Sequence, residues 1–330
     1  MVANHPIDRT LAILKDVMSA HSAALAGKPE SLAPAAPKKI ADGPQERRSA
    51  LAVRLMQGVE RHAGLQFATA LAEKLVTLVA PMSLGALDTW VLELEQLPPA
   101  APEWRLLCES LTVHETYFLR DRPQLSLLAS RLPEMIAEAE DRKFLRCWSV
   151  GCATGEEAYS AAMLGLDALV SAGKAVELVE RIQPAPPWRI EVLGSDLSEL
   201  ALRHAEAGRY GTGPLSSFRD LPPAYLRYFP RLPGHAGRQV RQDLRAAVRF
   251  EAFNLAQDSL PADGFDVVLC RNVLIYLTDW ARRRAVELLC RAVRPGGYLM
   301  LGATDSLEEV AGFETIWGAD AVMHRRVRHG

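Results

Sequence analysis

The chain has 330 residues and a formal net charge of −2, which argues against a nucleic acid or a charged membrane surface as an electrostatically attracted partner. It has no apolar run long enough to span a bilayer, and charged residues such as Asp8 and Arg9 interrupt the N-terminus, where a signal peptide needs an apolar core. The five cysteines are odd in number and form no C-x-x-C pair, which predicts reduced thiols in a cytoplasmic protein.

The N-terminal third of the chain is predicted to be helical. Apolar residues recur at helical spacing within 6–26, and a Pro- and Ala-rich linker follows, so residues 1–44 are predicted to be an extension and linker. Residues 45–111 carry only helical patterns, which predicts a small helical domain. Residues 112–143 then form a connecting segment with one helix after Pro123.

The stretch Phe144–Ser160 (FLRCWSVGCATGEEAYS) is the most informative part of the chain. An apolar run predicts a buried strand, Gly151 and Gly155 predict a tight turn, and a helical pattern follows. A strand that turns through small residues onto a helix N-terminus is how doubly wound α/β proteins hold an adenosine-type cofactor. The turn carries Glu156 and Glu157 but neither the lysine nor the G-x-G-x-x-G spacing of a phosphate site, so it suits the hydroxyls and positive charge of S-adenosylmethionine. An ordinary connection with solvated glutamates explains the segment equally well.

Two later strands are predicted to end in polar residues. The apolar run 189–193 (RIEVL) leads to Asp196, at the point where such folds hold a ribose diol, although this loop also suits a helix N-cap. The run 265–269 (FDVVL) leads to Arg271 and Asn272, at the ligand edge of a parallel sheet. Both strand ends therefore contribute candidate site residues.

Strands and helices alternate over residues 144–330, which predicts an α/β domain with a parallel sheet. Residues 173–188 predict a Pro-rich loop, and residues 294–297 (RPGG) predict the end of a helix before a strand at 298–301. Residues 209–250 combine glycine, proline, arginine and aromatic residues and interrupt the alternation.

Five ordered segments resemble hallmark motifs of the chemotaxis receptor glutamate O-methyltransferases, the CheR family. The segments are HETYFLRD (114–121), ATGEEAYS (153–160), SDL (195–197), NL (254–255) and CRNVLIY (270–276). The resemblance covers about residues 50–328. It implies the Rossmann-like sheet of a class I S-adenosylmethionine-dependent methyltransferase, preceded by an all-α domain, with a small β-subdomain inserted at about 209–250.

The resemblance also implies the reactants. The expected methyl donor is S-adenosylmethionine, and the expected product is S-adenosylhomocysteine. No metal is expected, because the eight histidines are scattered without partner ligands. The expected acceptor is a glutamate in the cytoplasmic domain of a methyl-accepting chemotaxis receptor, so neither nucleic acid binding nor membrane insertion is expected.

The family's donor-binding positions map, residue by residue, onto matching positions of this chain. They are His114, Thr116, Arg120, Gly151, Glu157, Asp196, Asn254, Leu255, Arg271 and Asn272. His114 replaces a family asparagine, and a capping or surface role suits it equally well; Thr116 also suits an N-cap. Glu157 matches the family glutamate that holds the ribose, and Glu156 is its less favoured twin.

The chemistry of methyl transfer indicates three candidate catalytic residues. Transfer from a sulfonium is an in-line displacement, and a glutamate, whose ordinary pKa is about 4.3, is already ionised near neutral pH, so no general base is required. The protein must align the reactants and exclude water. Arginine can hold both oxygens of a carboxylate, which makes Arg120 and Arg271 candidates. Tyr276 is a candidate donor to the acceptor carboxylate, with a half-buried core aromatic as its alternative role.

Two departures from the family concern the substrate. Residues 74–82 lack the basic stripe of the family's helical domain, and Gly302–Asp305 replaces its G-H-S-E segment. Arginines interleaved with aromatics within 209–249 predict a positive docking surface there instead; pairing with local acids such as Asp220 and Asp243 is an equal alternative. A small-molecule methyltransferase and a donor-binding scaffold in a signalling array are the alternative functions.

Overall fold

The computed structural model describes residues 43–67, 69–98, 101–112, 115–232, 234, 236–262, 264–302, 305 and 312–327. The helix predicted at 6–26 and the candidate residue His114 lie outside the described residues. The chain divides into two compact units between Thr112 and Val113.

The described part of the N-terminal unit is helical. Its helices are α1 (Pro44–Ala63), α2 (Thr69–Val79), α3 (Leu84–Gln96) and α4 (Pro102–Leu111). Helix α1 ends at Gly64, whose left-handed conformation (φ 66°) is a common helix stop. Trp104 of α4 packs so closely on Gly58 of α1 that a Cβ at this glycine would overlap the indole ring.

Among the described helices, no single one combines the length and apolar character that crossing a bilayer requires. Helices α2 and α3 reach that length and composition only as a pair, and a bend of 120° separates them. Leu75 and Val79 of α2 and Leu87 and Val91 of α3 are buried inside the unit. The apolar faces of this pair therefore pack into the protein core.

The C-terminal unit is built on a seven-stranded sheet flanked by helices. Its helices are α5 (Arg122–Glu138), α6 (Glu156–Ser171), α7 (Glu199–Ala207), α8 (Gln242–Ala246) and α9 (Asp279–Ala292). Its strands are β1 (Phe144–Val150), β2 (Ala175–Leu178), β3 (Arg181–Pro184), β4 (Arg189–Asp196), β5 (Arg209–Gly211), β6 (Gly237–Gln239), β7 (Val248–Ala252), β8 (Phe265–Cys270), β9 (Val293–Leu301), β10 (Phe313–Trp317) and β11 (Val322–Arg326). The main sheet has the order β10-β11-β9-β8-β1-β4-β7, and β11 runs antiparallel to both of its neighbours while β9, β8, β1, β4 and β7 run parallel. The predicted fold class is confirmed.

Strand β1 is the middle one of the five parallel strands, between β4 and β8. From β1 the chain adds β4 and then β7 on one side of the sheet, and it then adds β8 and β9 on the other side. The direction in which strands are added therefore reverses at β1. Trp148 of β1 is fully buried, and its indole N–H donates to the Ser195 hydroxyl of β4 at 2.9 Å, which satisfies the polar atom inside the core. Open α/β sheets bind ligands at the carboxyl ends of the strands at such a reversal.

Residues 173–188 form a hairpin, so the prediction of a loop there was wrong. Strands β2 and β3 pair in antiparallel fashion. Ile182 of β3 is buried, and its amide donates to the Asp243 carboxylate at 2.7 Å. The two strands have only four residues each and lie among prolines, so their alternation was too short to outweigh the loop signal.

Strand β9 begins at Val293, although the sequence predicted a start at Tyr298. The side chain of Arg294, near the start of this strand, bonds two acids. Its Nε donates to Asp266 at 2.5 Å and its Nη2 donates to Glu138 at 3.2 Å. The β8–β9 register shifts at the start of the pairing, which accommodates the glycines of the RPGG segment.

The insert lies between α7 and β7. It contains the two-stranded sheet β5–β6, a 3₁₀ helix (Pro223–Tyr228) and α8. It was predicted over residues 209–250, but its last residues belong to β7, the edge strand of the main sheet that pairs with β4.

Candidate active site

A cavity of about 100 Å³ lies at the carboxyl end of β1. Three parts of the chain meet there: residues 115–120, the turn from β1 to α6, and the loop after β8. Its lining residues are Glu115, Thr116, Tyr117, Arg120, Leu125, Gly151, Cys152, Ala153, Glu157, Ser160, Arg271, Asn272 and Tyr276. Seven of the residues predicted from the sequence are therefore brought together, namely Thr116, Arg120, Gly151, Glu157, Arg271, Asn272 and Tyr276. Ligand pockets commonly measure about 300–1,000 Å³, so this cavity alone is too small for a whole nucleoside-containing donor.

The turn from β1 to α6 forms one side of the cavity. Gly151 (φ 68°), Ala153 (φ 47°) and Gly155 (φ 95°) are all left-handed, a conformation that glycine adopts without strain. A Cβ at Gly151 would also overlap the side chain of Val273, the residue after Asn272. Glycine at this position therefore lets the turn pack directly on the loop after β8.

Asp196 ends β4 beside this turn. Its Oδ2 accepts the Ala153 amide at 2.8 Å and its Oδ1 accepts the Ser198 amide at 2.9 Å. Ser198 itself accepts the Ala201 amide at 3.1 Å and so caps α7. The capping role considered for this loop therefore belongs to Ser198. Asp196 therefore fixes the backbone of Ala153, a cavity-lining residue.

Asn254 and Leu255 follow β7, the neighbour of β4, and do not line the cavity. The Phe253 amide donates to the Asp196 carbonyl at 2.9 Å, which joins the two strand ends. The side-chain oxygen of Asn254 accepts the Ala256 amide at 3.0 Å in a local turn, and Leu255 is buried. The pair thus lies along the sheet edge, on the far side of Asp196 from the cavity.

The two glutamates of the turn have different surroundings. Glu157 lines the cavity, accepts the Ser149 hydroxyl at 2.7 Å and pairs with Arg271 at 3.1 Å. Burial raises the pKa of the Glu157 carboxyl, and the positive charge of Arg271 opposes that rise. Glu156 does not line the cavity and accepts the Ser217 hydroxyl at 2.6 Å. The geometry therefore favours Glu157 as the residue that meets a ligand.

Arg271 is enclosed by protein partners. Its Nε donates to Gln124 at 2.7 Å, and its Nη2 donates to the Arg120 carbonyl at 2.6 Å and to Asp121 at 2.9 Å. With the bond to Glu157, four of its five N–H groups are used, and its side chain is 1% exposed. The expectation that Arg271 orients the acceptor carboxylate does not fit this geometry, because a buried guanidinium needs these partners. Its contacts are those of a positioning residue.

Gln124 is a site residue that the sequence analysis missed. It is buried, receives the bond from Arg271 and donates to the Leu301 carbonyl at 2.8 Å. Asp121, which also bonds Arg271, takes a left-handed conformation (φ 54°) just before α5. Gln124 lies outside the recognised motif segments, and no periodic signal distinguishes it from the other polar residues of α5.

Four candidate residues present polar groups to the cavity with little internal bonding. The Arg120 guanidinium donates to the Glu115 carbonyl at 2.7 Å, and its positive charge, like that of Arg271, opposes the rise that burial causes in the pKa of Glu157. In the part of the chain that the structure describes, the side chains of Thr116, Asn272 and Tyr276 form no hydrogen bond. These groups remain available to a ligand.

The donor set fits S-adenosylmethionine. Carboxylates at Glu157 and Asp196 suit hydroxyl and ammonium groups, and the guanidinium of Arg120 suits a carboxylate. Within the described residues, no group of three or more histidine, cysteine, aspartate or glutamate side chains is arranged to hold a metal ion.

Comparison with known proteins agrees with this fit. The family described as CheR methyltransferase, SAM binding domain, matches residues 114–322. Chemotaxis protein methyltransferase 2 of Vibrio cholerae is 31% identical over 211 residues, which cover 63% of this chain and 68% of that protein. Chemotaxis protein methyltransferase 1 of Pseudomonas aeruginosa is 32% identical over 207 residues, 62% of this chain and 70% of that protein. A solved structure of an amino pentose methyltransferase from Micromonospora echinaspora overlaps 63% of this chain and 65% of its own at 19% identity, with a TM-score of 0.28. This chain belongs to the CheR methyltransferase family.

Proposed function

We propose that this protein acts in the cytoplasm and transfers a methyl group from S-adenosylmethionine to a glutamate in the cytoplasmic domain of a methyl-accepting chemotaxis receptor. The products are a glutamate methyl ester and S-adenosylhomocysteine. The observation that supports the proposal is the set of available polar groups around Glu157, above all the Arg120 guanidinium and the Tyr276 hydroxyl, in a chain of the CheR family.

The donor-binding residues are assigned by their position at the sheet edge. We assign the hydroxyls of the donor to the carboxylates of Glu157, which lines the cavity, and of Asp196, which bonds the amide of the cavity-lining Ala153. The inner part of the site consists of Thr116, Arg120, Gly151 and Asn272. For His114, Asn254 and Leu255 the assignment rests on the family motif alone. When bound, the donor supplies a methyl group that its sulfonium already activates.

We assign the binding of the acceptor carboxylate to Arg120 and Tyr276. The acceptor glutamate is ionised near neutral pH, so the protein needs to orient it and to exclude water. The planar guanidinium of Arg120 can hold both carboxylate oxygens, and the Tyr276 hydroxyl can donate to one of them. Arg271 acts through Glu157 and the Arg120 backbone, which it holds by hydrogen bonds.

Local pairing of the insert's arginines is favoured over a free positive docking surface. Arg241 is 10% exposed and forms a two-pronged ion pair with Asp243, at 2.7 and 2.8 Å. Arg227 pairs with Asp167, and Arg238 donates to a carbonyl at 2.7 Å. These three arginines therefore serve contacts within the insert and between the insert and α6, and the receptor is proposed to be recognised by shape and by groups around the cavity mouth.

Incubation with methyl-labelled donor tests the function. The protein is mixed with the purified cytoplasmic domain of a candidate receptor, and base-labile label on that domain identifies a carboxyl methyl ester. A receptor domain whose methylated glutamates are replaced by alanine is the matched control. Label appearing only in small molecules would support a small-molecule methyltransferase, and donor binding without any transfer would support a scaffold.

A further inference from the structure

The insert is bonded to the segment that forms one wall of the cavity, although none of its described residues lines the cavity itself. The Phe118 amide, in the wall segment 115–120, donates to the Ser217 carbonyl of the insert at 2.9 Å. The fully buried Phe118 ring packs against Tyr210 and Phe229, with ring centroids 4.9 and 4.4 Å apart. The segment that carries two proposed site residues is thus fastened to the insert by its backbone and by an aromatic cluster.

Arg219 of the insert makes a second attachment to this wall. Its guanidinium lies 4.3 Å from the centroid of the Tyr117 ring, and its Nη2 donates to the Glu115 carboxylate at 3.1 Å. Glu115 and Tyr117 both line the cavity. Arg219 also donates to the Leu215 carbonyl at 3.1 Å, which anchors it within the insert. A single side chain therefore joins the insert to two lining residues.

The buried carboxylate of Glu156 makes a third attachment, to the turn. The hydroxyls of Ser217 and Thr154 donate to its two oxygens, each at 2.6 Å. The Tyr210 hydroxyl donates to the Thr154 carbonyl at 2.6 Å. A buried carboxylate requires such bonds, and here one of them comes from the insert. Glu157, the next residue, faces the cavity.

We propose that Ser217 and Arg219 are positioning residues for methyl transfer, because from the insert they fix the wall segment and the turn relative to each other. Binding groups that are held within about 0.5 Å of their working geometry bind better, because less freedom is lost when the ligand arrives. The wall carries Arg120 and the turn leads to Glu157, so loosening either attachment lets one of these two cavity-lining groups shift relative to the other. This inference rests on the proposed function.

Titration calorimetry with S-adenosylhomocysteine tests the inference on the full chain. Arg219→Ala and Ser217→Ala are each expected to raise the Kd about three- to tenfold, in line with the loss of one or two hydrogen bonds. Ser217→Thr keeps the hydroxyl and Arg219→Lys keeps the charge, so both are expected to recover most of the affinity. In turnover assays the KM for the donor and the KM for the receptor domain are both expected to rise, because Arg120 of the loosened wall lines the donor site and is assigned to the acceptor carboxylate.

Arg227→Ala is the matched control. Arg227 also holds the insert to the rest of the unit, through ion pairs of 2.6 Å to Asp167 and 3.3 Å to Glu177, but among the described residues its side chain forms no hydrogen bond or ion pair with a residue that lines the cavity. It is expected to lower the Tm and to leave the Kd at the wild-type value. Wild-type affinity in both Arg219→Ala and Ser217→Ala, or equal weakening in Arg227→Ala, would overturn the inference. A wild-type protein that fails to bind S-adenosylhomocysteine would instead remove the proposed function itself.

Discussion

Arg271 and Glu157 form an ion pair of 3.1 Å in which the arginine side chain is 1% exposed and the glutamate side chain 14%. The pair joins the loop after β8 to the start of α6, and Asp121 adds a second acid to the same guanidinium at 2.9 Å. Removing one partner of a buried pair leaves an uncompensated charge, which is costly. The arginine therefore supports the site through the fold.

Arg271→Ala is expected to lower the free energy of unfolding by about 3–5 kcal/mol, the usual cost of breaking a buried pair. Urea unfolding monitored by circular dichroism measures it. Arg120→Ala is the control, because within the described residues the Arg120 side chain forms one hydrogen bond and the residue is partly exposed; it is expected to abolish methylation with little loss of stability. If Arg271→Ala kept the wild-type stability but lost turnover, Arg271 would instead be assigned to binding the acceptor carboxylate.

Tyr276→Phe tests the acceptor assignment. The Tyr276 hydroxyl lines the cavity and forms no hydrogen bond within the described residues, so its removal is expected to leave the Tm unchanged. Turnover is expected to fall about three- to tenfold, as for the loss of one neutral hydrogen bond, while the Kd for S-adenosylhomocysteine remains constant. A lower Tm with unchanged turnover would make this residue a core aromatic.

Replacing Asp196 is expected to lower both the stability of the protein and its affinity for the donor. Asp196→Ala removes an acceptor from the amides of Ala153 and Ser198, and leaving buried donors unsatisfied costs about 1–3 kcal/mol each. Asp196→Asn keeps one acceptor oxygen and is expected to lose less stability.

Calorimetry on Asp196→Asn then isolates the ligand contribution. We expect its Kd for S-adenosylhomocysteine to rise about 10- to 150-fold, which corresponds to the range of about 1.5–3 kcal/mol that a charge-assisted hydrogen bond contributes. Unchanged affinity in Asp196→Asn would remove this carboxylate from the donor site.

Glu156 gives a pH-dependent expectation. Burial raises the pKa of its carboxyl, so the folded state binds the proton more tightly than the unfolded chain does. The contribution of Glu156 to stability is then fully present below the ordinary glutamate pKa of about 4.3 and is lost as the pH rises through the folded-state pKa. Glu156→Gln lacks this titration, so its free energy of unfolding should improve relative to wild type as the pH rises from about 4 to 7. Urea unfolding at several pH values measures the difference, and a constant difference would contradict the assignment.

The sequence located the site because its signals lie at strand ends. Gly151 needs a left-handed backbone and Asp196 follows an apolar run, and both features are visible in the order of residues alone. The bond from Arg271 to Gln124 was not visible, because Gln124 lies 147 positions away and belongs to no motif. A guanidinium suits a substrate carboxylate and a buried acid equally well, so only the packing separates the two roles.

For a similar reason, the strands β2 and β3 could not be predicted, and the two alternatives for the insert's arginines could not be separated. The hairpin β2–β3 is held by the bond from Ile182 to Asp243, which also pairs with Arg241. One acid therefore serves a strand and an arginine that are distant in the chain. Local sequence patterns carry no information about such shared partners, whereas the helical pattern of the N-terminal unit depends only on spacing.

The backbone bond from Phe118 to Ser217 limits how this protein can be recombined. Because the insert lies between α7 and β7, one would expect that it could be replaced by the insert of a relative. However, the segment that it bonds lies about a hundred positions earlier in the chain, before α5. A chimera that receives a relative's insert should therefore receive residues 115–120 from the same relative. In descent, these two stretches are expected to change together.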